Sequence, residues 1–207
     1  DIRYFYAYPG ESWQVIKEIF FDFFGKSQPN AAHTGLAELE KMGLLKAVIT
    51  QNIDNLHQEA GSRVVYEYHG NCRHLVCMEC GKKYSQGELG LEKLPVTCRE
   101  CNGLVKPDFI FFGEGIPEYA ARKSREEALA SDVFIVIGTT GEVMPACMLP
   151  HIAKQNGAKI IEINTAPSNF TGTVTDVFLQ GKASGIMTAL VDIVRKTGGG
   201  VKINTNK

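Results

Sequence analysis

A doubly wound α/β fold, built on a parallel sheet and interrupted by a small cysteine-stapled module, is predicted from three observations. Short β-branched runs, Ala47–Thr50, Val133–Ile137 and Lys159–Ile163, have the unbroken apolar character of strands buried on both faces. Helix-forming stretches at 118–131 and 150–156 separate the later runs, giving the alternation of strand and helix that a parallel sheet requires. Four of the six cysteines stand as Cys77-x2-Cys80 and Cys98-x2-Cys101, with 17 residues between the pairs. The bulk properties agree, since 207 residues at 44% hydrophobic content suffice for one substantial core and an appendage. A net charge of −1 supplies no field for nucleic acid, and no apolar run is long enough to span a bilayer. Asp1-Ile2-Arg3-Tyr4 is not a signal peptide, so a cytoplasmic or nuclear protein binding neither nucleic acid nor membrane is expected.

Taken in order, the chain opens without Met in an aromatic stretch (Tyr4, Phe5, Tyr6, Tyr8) with no preceding strand or cap, and an N-terminal portion ahead of Asp1 is expected. Trp13 to Phe24 is apolar on most faces and reads as a helix wedged between other elements. Asn30 is a good N-cap for a helix running to about Met42 and stopped by Gly43; His33 in that helix reads as structural. After the strand at Ala47–Thr50 comes a short helical stretch carrying His57, then the run Val64–Tyr68, which ends in His69-Gly70. Lys106–Glu114 is a strand-like run ended by Gly113, either an ordinary paired strand or an edge open to an extended peptide. Ile186–Arg195 is a terminal helix, and 198–207 a flexible tail opened by three glycines.

The segment 71–105 changes character. It is turn-rich, poor in aliphatic periodicity, and at 35 residues too small to bury a core of its own. The spacing of Cys77, Cys80, Cys98 and Cys101 is that of a zinc ribbon, in which each C-x-x-C forms a knuckle and two knuckles complete a tetrahedron. Gly81 and Gly103 follow the pairs closely enough to permit the turns. Four thiolates leave no open position, so a zinc ion there is structural; two disulfides are the competing reading, disfavoured without a secretory signal. Cys72 and Cys147 read as buried or half-buried thiols. The implied domains are 1–70 with 106–197 as the α/β part and 71–105 as the zinc-ribbon module.

Function follows from position. The runs ending at Ile49, Ile137 and Ile163 are each followed at once by small polar residues: Thr50-Gln51-Asn52, Gly138-Thr139-Thr140 and Asn164-Thr165. In a doubly wound sheet such ends share one edge, where ligands bind and helix N-termini suit a pyrophosphate. No Gly-x-Gly-x-x-Gly loop follows any strand, so a dinucleotide reading does not rest on that fingerprint.

These residues carry a resemblance. TQNIDNLH, YEYHG, the four cysteines, KPDFIFFGE, GTTGEVMPA, EIN and GKA occur in the order found in sirtuins, the NAD-dependent protein lysine deacylases with a Rossmann-like domain. The likeness runs from about Pro29 to Arg195. It implies that Gln51, Asn52, Ile53 and Asp54 line the nicotinamide and ribose pocket, and that His69 is the catalytic base, with Asn52 and Asp54 beside it. It further implies that Gly138, Thr139, Thr140 and Asn164 hold ribose and phosphates, that Ala183 lies by the adenine, and that Ile110, Gly113 and Glu114 receive an acyl-lysine peptide.

The chemistry suits those residue types. Cleavage of the nicotinamide–ribose bond develops positive charge, which amides and a carboxylate tolerate. A ribose hydroxyl must then lose a proton near neutral pH, a task for imidazole. Three departures from the sirtuin pattern bear on the outcome. The usual opening strand, Gly-Ala-Gly loop and Gly-Ile-Pro-x-Phe-Arg segment are not in the sequence; a polypeptide truly lacking them is expected to be inactive. Thr140 keeps the hydroxyl of a usual serine, whereas Gly141 replaces a leucine and is expected to loosen the strand exit. Members that remove acidic acyl groups carry a Tyr-x-x-Arg pair where Lys17-Glu18-Ile19-Phe20 stands, so a neutral acyl group, acetyl foremost, is expected. Transfer of ADP-ribose to a protein side chain and a non-catalytic zinc-ribbon, nucleotide-binding module are the two other readings.

Overall fold

The computed structural model describes residues 1–23, 27–85 and 87–198, so Phe24 and 199–207 of the expected tail lie outside the described residues. The chain divides into two compact units, the first formed by 1–28, 50–56 and 67–121, the second by 29–49, 57–66 and the residues from 122 on.

The first unit begins with helix α1, Ile2–Ala7, capped by the Asp1 carboxylate, which accepts from Arg3 N at 2.8 Å. The aromatic opening therefore has both a cap and a helix, contrary to expectation. Its register buries Phe5 while the three tyrosines remain exposed. The helix expected from Trp13 breaks in two: α2, Pro9–Ile16, starts on a proline, and Lys17–Phe23 continues as a π-helical turn. Trp13 and Ile16 of α2 are buried.

The cysteine module is not self-contained. Strand β3, Gly70–Cys77, pairs antiparallel with β4, Lys83–Ser85, and with β5, Val105–Phe109, so β5 is an edge of a three-stranded sheet. Leu75, Tyr84, Leu89, Val96 and Val105 share one core with Phe5, Trp13 and Ile16, and Trp13 Nε1 donates to Val105 O at 2.7 Å. The N-terminal aromatic helices supply the apolar surface that 71–105 lacks. Composition alone hid β3, because polar Asn71, Arg73 and His74 interrupt its apolar residues.

In the second unit, Asn30 caps α3, Ala31–Lys41, by accepting from Ala32 N at 2.9 Å, and His33 Nδ1 accepts from Asn30 N at 3.2 Å. His33 thus closes a capping box, the structural role expected of it. Strand β1, Val48–Thr50, passes from this unit into the first; the short α4, Leu56–Glu59, and β2, Val65–Glu67, follow. β1 and β2 pair through Val48 N to Val64 O and Tyr68 N to Thr50 O, bonds that advance together along both strands, the parallel sense. Helix α5, Glu118–Ala130, leads into the parallel sheet proper: β6, Val133–Ile137; α6, Met148–Gln155; β7, Lys159–Asn164; β8, Val177–Gln180; and α7, Ala183–Lys196, in strand order β6-β7-β8. The parallel, helix-flanked architecture is as expected, with one correction: the strands form a pair and a triplet instead of one continuous sheet, since among the described residues β1 pairs with β2 alone. β8 is also new; Val177–Gln180 is too short to announce itself. Leu36 and Leu39 of α3, Met187 and Val191 of α7, Val48 and Ile163 make one core on one face of the strands. No helix among the described residues is long and apolar enough to cross a membrane.

Candidate active site and metal centre

The metal centre is the simpler part. The four expected cysteines gather with all sulfurs within 4.8 Å of one another; Cys77 Sγ lies 3.5 Å from Cys101 Sγ, and Cys80 Sγ 3.7 Å from Cys98 Sγ. Those separations are too long for disulfides and close to the edge of about 3.8 Å that four Zn–S bonds of about 2.3 Å impose on a tetrahedron. Donor number, type and spacing all fit zinc. Backbone N–H groups of Cys80 and Glu100 point at Cys77 Sγ and Cys98 Sγ, while the buried Tyr84 hydroxyl lies 3.0 Å from Cys98 Sγ. Gly81 takes the left-handed turn behind the first pair, as expected; behind the second, Asn102 takes it (φ 61°) ahead of Gly103. Tyr84 went unnoticed in the sequence, where only its place between the knuckles marks it.

In the first unit, the end of β1 presents Gln51 to Asp54. Asn52 N donates to Thr50 Oγ1 at 3.1 Å, and Asp54 Oδ1 accepts from Leu56 N at 3.1 Å, a turn bond that leads into α4. Ile53 O accepts from Cys72 N at 3.1 Å, which fixes the segment to the start of β3. Asn52 is exposed, whereas Gln51, Ile53 and Asp54 are half-buried.

His69 occupies the junction between β2 and β3. Its carbonyl accepts from Ile110 N at 2.9 Å, and Gly70 next to it crosses so close to β5 that a side chain there would collide with the Asp108 carbonyl. Burial lowers the imidazole pKa; a hydrogen bond with the Gln51 backbone pulls weakly the other way. The net result is a neutral ring at neutral pH, the form a general base needs. Cys72 is the nearby group that could be mistaken for a nucleophile. Burial, reinforced by the charges of Asp54 and Glu67, pushes its thiol up to about 12, which makes it inert.

Ile110, Gly113 and Glu114 lie on the segment leaving β5. The turn is built on a buried cation: Lys106 Nζ donates to Phe109 O at 2.8 Å and Pro107 O at 3.1 Å, pairs with Glu114 Oε2 at 3.1 Å, and sits 5.2 Å from the centre of the Phe111 ring. Glu114 Oε2 also accepts from Phe111 N at 2.7 Å, and α1 joins in through Ile2 N to Phe112 O at 3.0 Å. Lys106 was not singled out from the sequence; a lysine opening an otherwise apolar run was the signal.

In the second unit, β6 and β7 end side by side, Ile137 opposite Ile163. Asn164 Nδ2 donates to Thr139 O at 3.0 Å, Gly138 N to Ile163 O at 3.0 Å, and Gly181 N to Asn164 O at 2.9 Å. Gly138, Thr139, Thr140 and Asn164 therefore share one sheet edge, and Ala183 opens α7 immediately beyond β8. Gly138 and Thr140 are exposed, and the N-cap at Lys182 makes no side-chain bond. Such an edge offers backbone N–H groups and hydroxyls to phosphate and ribose. His57 and His151 belong to this unit as well, the first with its ring 4.8 Å from that of His33, the second 5.9 Å from Phe170.

With this geometry in view, comparison with known proteins is informative. Residues 1–145 match the Sir2 family. NAD-dependent protein deacylase 2 of Pyrobaculum aerophilum is 45% identical over 170 residues, covering 82% of this chain and 68% of that protein. A crystal structure of a Sir2 homolog–NAD complex superposes with a TM-score of 0.89 at 38% identity, covering 95% of this chain and 76% of that one. Sir2 bound to acetylated peptide gives 0.85 at 34%, with 96% and 82% covered. The four-cysteine cluster, His69 and the strand ends described above thus sit in a sequence and a fold shared with these proteins, and the chain belongs to the Sir2 family.

Proposed function

We propose that the protein removes acyl groups, acetyl foremost, from lysines of peptides or proteins at the expense of NAD, giving nicotinamide and O-acyl-ADP-ribose. NAD, when bound, would supply the ribose carbon that takes the acyl oxygen as nicotinamide leaves, and a water molecule would complete release of the free lysine; binding, orientation and proton transfer fall to side chains of this chain. The observation that carries the reading is His69, a half-buried imidazole kept neutral by its surroundings and tied through its own carbonyl to the strand that leads into Ile110. His69 takes the proton of a ribose hydroxyl. Asn52 and Asp54 face the developing positive charge, and Gln51 and Ile53 complete the nicotinamide end.

Gly138, Thr139, Thr140 and Asn164 take the ribose and phosphates, and Ala183 the adenine. Ile110, Gly113 and Glu114, on the segment that leaves β5, receive the acyl-lysine peptide. A neutral acyl group is favoured because Phe20, and no arginine, stands at the fourth position of Lys17-Glu18-Ile19-Phe20, where members that remove acidic acyl groups carry their cation. Zinc on Cys77, Cys80, Cys98 and Cys101 is structural, with 71–105 as its module and 1–70 with 106–197 as the NAD-binding domain. The test is His69→Ala in the full chain, assayed with acetylated peptide and NAD for nicotinamide release coupled to deacetylation. Loss of both is expected, and retained turnover refutes the assignment.

A further inference from the structure

The second unit buries a carboxylate that the chemistry above does not use. Glu162, in the middle of the central strand β7, is 1% exposed. A charge placed there is costly, and its partners are hydroxyls, not a cation: Ser168 Oγ donates to Oε1 at 2.6 Å, and Thr171 Oγ1 and Thr175 Oγ1 donate to Oε2 at 2.8 and 2.7 Å. Burial pushes its pKa up, yet the Ser168, Thr175 and Thr171 hydroxyls together with the Ser168 N–H hold it below the ordinary range, so it is ionised. All three hydroxyls come from one loop, the connection from β7 to β8. That loop reaches back to the nucleotide edge by two routes. Asn169 N donates to Thr140 O at 3.0 Å. Ser168 Oγ, while donating to Glu162, accepts from Phe170 N at 3.1 Å, and the buried Phe170 ring fills the space a side chain at Gly141 would need, within 2.8 Å of its Cβ position. The glycine expected to loosen the strand exit is instead packed under an aromatic ring.

We infer that Glu162 is a positioning residue for NAD: through Ser168, Thr171 and Thr175 it pins the 165–175 loop, and through Asn169 and Phe170 that loop sets the Thr139–Gly141 backbone that receives ribose and phosphate. This rests on the proposed NAD site. The carboxylate touches no reactant, so its effect falls on how well NAD is held and not on the proton transfer at His69.

The experiment compares the full zinc-loaded chain with Glu162→Gln and with a pair at one position, Thr171→Val, which keeps the side-chain shape and loses the hydroxyl, and Thr171→Ser, which keeps the hydroxyl and loses the methyl. Steady-state KM for NAD and for acetylated peptide, kcat, calorimetric NAD affinity and amide exchange at Thr139–Gly141 are measured. Glu162→Gln is expected to weaken NAD about tenfold and speed exchange at those amides, with kcat and the peptide KM within about threefold of the parent. Thr171→Val is expected to follow it, and Thr171→Ser to restore NAD binding because the hydroxyl is all that is needed. Unchanged NAD affinity in either Glu162→Gln or Thr171→Val overturns the inference, as does a fall in kcat with KM for NAD unmoved. Should Glu162→Gln not fold, the Thr171 pair decides alone. A parent chain that neither binds nor uses NAD defeats the proposed function itself, whereas a parent that binds NAD alongside variants that bind it equally well defeats the positioning role only.

Discussion

Gly70→Ala tests the geometry that carries His69. Gly70 sits at φ 69°, and an added Cβ would lie 2.9 Å from Phe109 Cα and closer still to the Asp108 carbonyl oxygen, both backbone atoms that no side-chain rotation can move. An L-residue in that conformation costs about 1–2 kcal/mol. Relieving the collision requires β3 and β5 to part where Gly70 faces Phe109, beside the 2.9 Å bond from Ile110 N to His69 O; losing that bond costs about 1 kcal/mol more. A total of about 3 kcal/mol corresponds to a melting temperature lower by roughly 6–12 °C in a chain of this size. Because the same displacement moves the imidazole and the segment proposed to receive the peptide together, kcat/KM for acetylated peptide should fall about a hundredfold. Thermal unfolding of zinc-loaded protein and steady-state deacetylation provide the two readouts. A melting temperature within about 2 °C of the parent, with unchanged kcat/KM, refutes the account of Gly70 and of the strand crossing it defines.

Burial lowers the His69 pKa, and the proposed base acts in its neutral form, so the acid limb of kcat/KM should have its midpoint below 6.5; a midpoint above it contradicts the environment described. Lys106→Met leaves Glu114 without its cation and the Phe109 carbonyl without its donor, so a loss of about 3 kcal/mol in thermal stability and a rise in peptide KM larger than any rise in NAD KM are expected. The parent is expected to carry about one zinc per chain, read by native mass spectrometry, and Cys101→Ser to lose it and melt 71–105; strong chelation that leaves the melting curve unmoved would count against a structural ion.

What could be read from the sequence was whatever advertises itself locally. Two C-x-x-C pairs state their chemistry by spacing, Asn30 announces a cap by its place ahead of an apolar period, and polar clusters after β-branched runs mark strand ends. Long-range partnerships were hidden. Nothing in 71–105 tells that Trp13 closes its core, because the indole and Val105 lie 92 positions apart. Lys106 and Glu162 look like ordinary surface charges until the carbonyls and hydroxyls that surround them are brought in by folding. The break of the π-helical turn after Ile16 also escapes pattern reading, since Lys17–Phe23 keeps the apolar character of an ordinary helix.

Strand β3 starts at the residue following His69, bulges between Gly70 and Leu75, where its register against β5 shifts, and finishes at Cys77, the first of the four clustered cysteines. An ion held by the four cysteines therefore secures one end of the strand whose other end carries the His69–Gly70 junction. Losing the metal would loosen the strand that carries this junction, although the metal itself never meets a reactant.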